Sequence, residues 1–169
     1  MQRLWNVRLG ARAFSSVLAL LLLLAGAARA EDTPRHRATL RGIAALSVVI
    51  EDVDPEAEKD GLTRRDLQAE VESQLRRAGI PVLPGTPEHL YVNVNAMKRD
   101  NGLYAYAISL EFKQMVSLVR EPQITIIAPT WSVGAIGTGG ALRLREVRAA
   151  VAALVDSFLQ AYREQNPTP

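Results

Sequence analysis

The chain contains no cysteine. That excludes disulfides, thiolate metal sites, redox pairs and a cysteine nucleophile together. Histidine is nearly as scarce, with two in 169 residues. His36 lies in a polar, charged stretch, and His89 stands alone at the start of an apolar run beside "TPE". A pair of zinc-binding histidines on one face is therefore missing. Ser109 and Ser132 lack the glycine-flanked elbow that exposes a serine nucleophile. Nothing marks one pair of carboxylates for acid–base work, so no catalytic residue is assigned.

Long hydrophobic runs are also wanting, apart from one. "VLALLLLLAG" (Val17 to Gly26) follows Arg3, Arg8 and Arg12 and precedes "ARA", which places small residues at the −3 and −1 positions of a cut after Ala30. It is shorter than the roughly 20 residues that span a bilayer. This order is that of a secretory signal peptide, and residues 1–30 are expected to be removed. No cysteine follows to carry a lipid. The expected address is exported, periplasmic or secreted, with no integral membrane segment after leader cleavage.

Basic excess disappears with the leader. The whole chain carries 20 Lys+Arg against 18 Asp+Glu. Arg3, Arg8, Arg12 and Arg29 fall within residues 1–30, and no acidic residue does, which leaves 16 against 18. A mature chain of formal charge −2 has no electrostatic footprint for nucleic acid.

What remains reads as one domain over residues 42–165, between a flexible lead-in (31–41, "EDTPRHRATLR") and a short tail (166–169). "IAALSVVIEDV" alternates as a strand. Thr63, with Asp66 three residues later and Leu62 and Leu67 as an apolar bracket, starts a helix. Leu67, Val71, Leu75 and Ala78 give that helix one apolar face, and Gly79, Ile80 and Pro81 end it. "PVL" reads as a short edge strand. A hairpin follows. A two-residue Asn101-Gly102 turn would set Val94 beside Ser109, whereas a three-residue loop, Asp100-Asn101-Gly102, pairs Val94 with Ile108 and Val92 with Leu110. "REPQ" is the next expected turn, with Pro122 at a turn position. "ITIIA" and "TWSVGAI" follow, interrupted or bulged at Pro129. A last helix runs from about Leu142 to Tyr162.

The order β-α-β-β-β-β-α predicts an α+β two-layer sandwich, a mainly antiparallel sheet with two helices on one face. The other face would carry Tyr91, Asn93, Asn95, Ser109, Glu111 and Lys113. Tyr91, Asn93, Asn95, Glu111 and a nearby Trp131 are the candidate contacts for a protein partner in the cell envelope.

Two motif-like stretches fall short of chemistry. "EDVDPEAEKDG" (Glu51 to Gly61) offers oxygen ligands, but a calcium loop starting at Glu56 lacks its closing glutamate and one starting at Asp52 lacks its glycine, so a solvated acidic loop is expected. "WSVGAIGTGG" (Trp131 to Gly140) lacks the lysine and hydroxyl of a phosphate loop and the glycine order of a dinucleotide site. A strand running into a turn is the main reading. A second reading is an anion site at the last helix start, built from Gly137, Gly139, Gly140, Arg143 and Arg145. No cofactor and no metal is expected.

"LYVNVN", "YAYAISLEFKQ", "APTWSVGAIGT" and the terminal helix together resemble a family of small exported bacterial proteins of unknown function. The resemblance covers nearly the whole mature chain and implies no catalytic residues. The element order is also similar to that of the amino-terminal domain of the translocation protein TolB and related envelope-assembly modules, in topology alone. The reading is an exported, non-enzymatic module that binds another envelope or secreted protein.

Overall fold

The computed structural model describes residues 28–140 and 144–167. Residues 1–27 of the expected leader 1–30 and the last two residues lie outside them, while residues 28–30 fall in the first strand. Strand β1 (Ala28–Glu31) and a short helix α1 (Pro34–Ala38) come first, then β2 (Ser47–Ile50), a second short helix α2 (Pro55–Lys59) and α3 (Arg64–Arg77). Three long strands follow, β3 (His89–Lys98), β4 (Leu103–Leu118) and β5 (Glu121–Gly140), and α4 (Leu144–Gln165) closes the chain. The strands form one sheet in the order β1-β5-β4-β3-β2. Among the described strands only β2 and β3 pair in parallel. The fold is α+β.

Local chemistry sets the elements. Thr63 accepts from the Asp66 amide at 3.1 Å, and Leu62 and Leu67 are both buried. At the other end of α3, Gly79 has φ 82°, and the amides of Gly79 and Ile80 reach back to Arg76 and Leu75. This is the reciprocal pair that closes a helix on a left-handed glycine. The β3–β4 loop has three residues: Arg99 donates to Leu103, Gly102 has φ 75°, and Val94 pairs with Ile108 and Val92 with Leu110. A bulge interrupts the β4–β5 ladder where Phe112 pairs with Trp131 and Lys113 with Pro129.

One side of the sheet is covered. Leu90, Val92 and Val94 of β3, Ile108, Leu110 and Phe112 of β4 and Val133 of β5 are buried with Leu67, Val71 and Leu75 of α3 and Val151, Val155 and Phe158 of α4. Gln114 breaks the apolar alternation of β4 on this side because its amide donates to the Thr39 carbonyl and the Thr130 hydroxyl.

Five expectations are corrected. Residues 31–41 are a docked segment rather than a flexible lead-in. Arg37 holds Asp32 through two nitrogens, at 2.6 and 2.7 Å, the Trp131 indole donates to Asp32 at 2.9 Å, and Leu40 is buried. Asn166, placed in the tail, clamps the end of α4: its side chain accepts from the Gly42 amide and donates to the Leu40 and Tyr162 carbonyls. The acidic run is partly helical, since Asp54 caps α2 by accepting from the Glu56 amide at 2.8 Å. Finally, the β4–β5 turn is Val119-Arg120 between paired Leu118 and Glu121, so Pro122 already belongs to the strand. "PVL" contributes only an isolated bridge, Leu46 to Val82.

Candidate functional site

Alternation along each strand sends every second side chain to the uncovered side. From β3 these are Tyr91, Asn93, Asn95 and Met97. They align with Glu111, Ser109, Ala107 and Ala105 of β4, which align with Ser132, Gly134, Ile136 and Thr138 of β5. Four of the five expected partner-binding residues, Tyr91, Asn93, Asn95 and Glu111, thus share this face.

Hydrogen bonds fix their arrangement. Glu51, just past β2, accepts from the Tyr91 hydroxyl and from the Asn93 amide, and Asn95 donates to Asn93 at 2.7 Å. Lys113 sits 3.5 Å from the Tyr91 ring centre and 3.3 Å from Glu111. The hydrogen bond to Glu51 is the main reason the Tyr91 phenol holds its proton above the ordinary value, since ionisation would set a phenolate against a carboxylate. The result is a polar strip with few free rotamers, presented on a rigid sheet. Glu51 escaped the sequence reading because it ends an apolar strand and opens an acidic run. Its alternation with Val49, which pairs with Tyr91, is the signal that points to this face.

Beside the strip lies an apolar patch. Met97 is 72% exposed and Ile136 80% exposed, with Ala105 and Ala107 of β4 between them and the exposed Leu103 next along β4 beyond Ala105. An apolar centre flanked by ordered polar groups is the anatomy of a protein–protein contact.

Trp131, the fifth expected contact, is not on this face. It is fully buried, edge-on to Phe158 at 5.4 Å between ring centres. Pairing with Phe112 puts Trp131 on the covered side, and its indole nitrogen donates to Asp32. Burial with a satisfied N–H is the usual state of a core tryptophan.

The glycine-rich stretch is strand to its end. Gly137, Gly139 and Gly140 pair with Tyr106, Tyr104 and Leu103 in the β4–β5 ladder, so they do not form an open loop of free amides. Gly137 lies under the Tyr106 ring: a Cβ built on it would stand 2.4 Å from the Tyr106 hydroxyl oxygen. The glycine is there to seat an aromatic ring on the pleat. Gly137→Ala should cost about 1–3 kcal/mol by overpacking, and far less in a Tyr106→Ala background; paired urea titrations measure the difference. Arg143 lies outside the described residues. Arg145 belongs to the first turn of α4, whose start the structure places directly after residues 141–143. The neighbouring Arg148 is already engaged, donating to the Gly61 carbonyl at 2.6 Å and to Asp66 at 2.9 Å.

A second cluster sits at the β3–β4 loop end. Asp60 accepts from Lys98 at 2.9 Å and from the buried Tyr104 at 2.7 Å. Both hydrogen bonds, Lys98 first, hold the Asp60 carboxyl below its usual range, and burial raises Tyr104. These interactions stabilise the fold above about pH 4, the ordinary carboxylate value, and are lost as pH falls through the lowered one. The cluster joins α2 to the hairpin, and its groups are spent on one another.

Among the described residues no group of three or more histidine, aspartate or glutamate side chains is placed to hold a metal ion. No described helix is long and apolar enough to cross a membrane. No protein-family model and no curated protein matches the chain.

Proposed function

We propose that the protein is an exported binding module that docks another protein of the cell envelope on the uncovered face of its sheet. The observation that carries this reading is the pairing, on one unroofed surface, of an exposed Met97–Leu103–Ile136 patch with the ordered strip Glu51–Tyr91–Asn93–Asn95. An antiparallel sheet commonly leaves one face to water, but such a face is ordinarily polar throughout. Large exposed apolar side chains grouped beside polar ones mark contact sites. Export rests on the leader-like pattern of residues 1–30, and a protein rather than a small molecule is favoured because the surface is a flat sheet and not a cleft.

Alanines at Tyr91, Asn93 and Asn95 test the reading. Recovery of the partner from the native envelope should drop at least tenfold with an unchanged melting temperature. Undiminished recovery by the folded triple variant rejects this face.

A further inference from the structure

Past the Lys113–Pro129 pair, the β4–β5 hairpin leaves the body of the sheet. β3 begins its pairing with β4 at His89 and Lys113, and β1 meets β5 only around Ser132 and Gly134. From residue 114 to 128 two strands therefore run alone, with both outer edges unpaired among the described strands. Their side chains are apolar on both faces. Met115 lies across from Ile127 on the side continuous with the open sheet, and Val116 across from Ile126 on the reverse. Met115, Ile124, Ile126 and Ile127 are exposed, and Val119 at the turn is 99% exposed.

A two-stranded ribbon is marginally stable in water, and an apolar edge is a template for another strand. Natural edges are blunted by lysine, proline or inward charge. The β5 strand of the ribbon carries Pro122 and Pro129. The β4 edge, "QMVSLV" from Gln114 to Val119, carries no such guard.

We propose that this ribbon is a self-association arm, whose occupant is the same ribbon of a second copy of the chain, laid antiparallel along the unguarded β4 edge about a twofold axis. Antiparallel pairing of one edge with itself is self-complementary, as an isologous interface requires. Charge agrees: the tip holds one cation, Arg120, next to one anion, Glu121, so two copies meet without net repulsion. A lipid surface fits poorly, because the ribbon has no aromatic residue and no cluster of basic ones. The exposed apolar side chains of this edge, Met115 and Val119, are covered by the edge of the second copy.

The arm is separate from the Tyr91 strip, so its test is independent of partner binding. Sedimentation equilibrium of the purified chain over a hundredfold concentration range should show a dimer that dissociates on dilution. Met115→Lys/Ile126→Lys should be monomeric at every concentration with unaltered circular dichroism. Ser117→Cys, a small change at an exposed site in a chain without other cysteines, should be trapped as a disulfide dimer by mild oxidation. A wild-type monomer at the highest concentration overturns the proposal. So does a dimer that survives both lysines, or a Ser117→Cys variant that stays monomeric on oxidation.

Discussion

Trp131→Ala should cost the fold about 3–5 kcal/mol, the range for removing a large aromatic side chain from a core. Trp131 is among the largest fully buried side chains and packs edge-on against Phe158, the centre of an aromatic group that also holds Phe112 and Tyr162. The loss has two parts. The indole body vacates a space walled by Phe158 and the β4 strand, which rigid elements on both sides cannot collapse to fill. The indole N–H also leaves Asp32, whose side chain is 3% exposed. Trp131→Phe separates the parts, since it keeps a ring against Phe158 while taking away the donor; it should cost about 1–2 kcal/mol from the hydrogen bond. Urea titration followed by circular dichroism measures both. Against a total stability of about 5–15 kcal/mol, the alanine variant should be partly unfolded near body temperature and the phenylalanine variant should not.

Asp32→Ala should be the second most damaging single change, at about 2–4 kcal/mol, somewhat less than the full cost of breaking a wholly buried pair. Arg37 grips Asp32 through Nε and Nη2 and Glu164 through Nη1, which joins the amino-terminal segment, the core tryptophan and the end of α4 through one guanidinium. These carboxylates hold the Arg37 proton even more firmly than usual, Asp32 contributing most. Arg37 is partly solvated and keeps Glu164, so its charge is not stranded when Asp32 goes. The expected sign of damage is local first: amides of Leu40, Arg41 and Gly42 should lose hydrogen-exchange protection before the β3–β4 ladder does. Uniform loss across the sheet would mean that the amino-terminal segment is not a separate latch.

Much of this architecture was written in local chemistry. The cap at Thr63, the glycine stop at Gly79 and the three-residue loop ending in Gly102 each follow from backbone geometry that few residues satisfy, and each stands where it was expected. The Tyr91–Asn93–Asn95 face was legible for a similar reason, because a period of two leaves no choice about which residues share a side. What escaped depended on contacts distant in sequence. A charged segment such as "EDTPRHR" looks solvated until its Asp32 meets an indole 99 residues away. Trp131 was set near the open face without a register for its strand; its regular alternation with the buried Val133 puts it on the covered side. Val119-Arg120 has no strong turn residue, so Pro122 drew the turn toward itself. Glu51 joined the site only once β2 lay alongside β3, a parallel pairing set by the whole α3 crossover.

The central claim is that the partner rests on the unroofed side of the sheet. Single cysteines at Asn95, at Ile136 and, as a control on the helical side, at the well-exposed Arg65 can each carry a photo-activated crosslinker, because the chain has no other thiol. Irradiation in the native envelope should give one heterologous adduct of the same mass from the Asn95 and Ile136 positions and none from Arg65. Adducts from Arg65 alone, or from all three positions alike, would contradict the account.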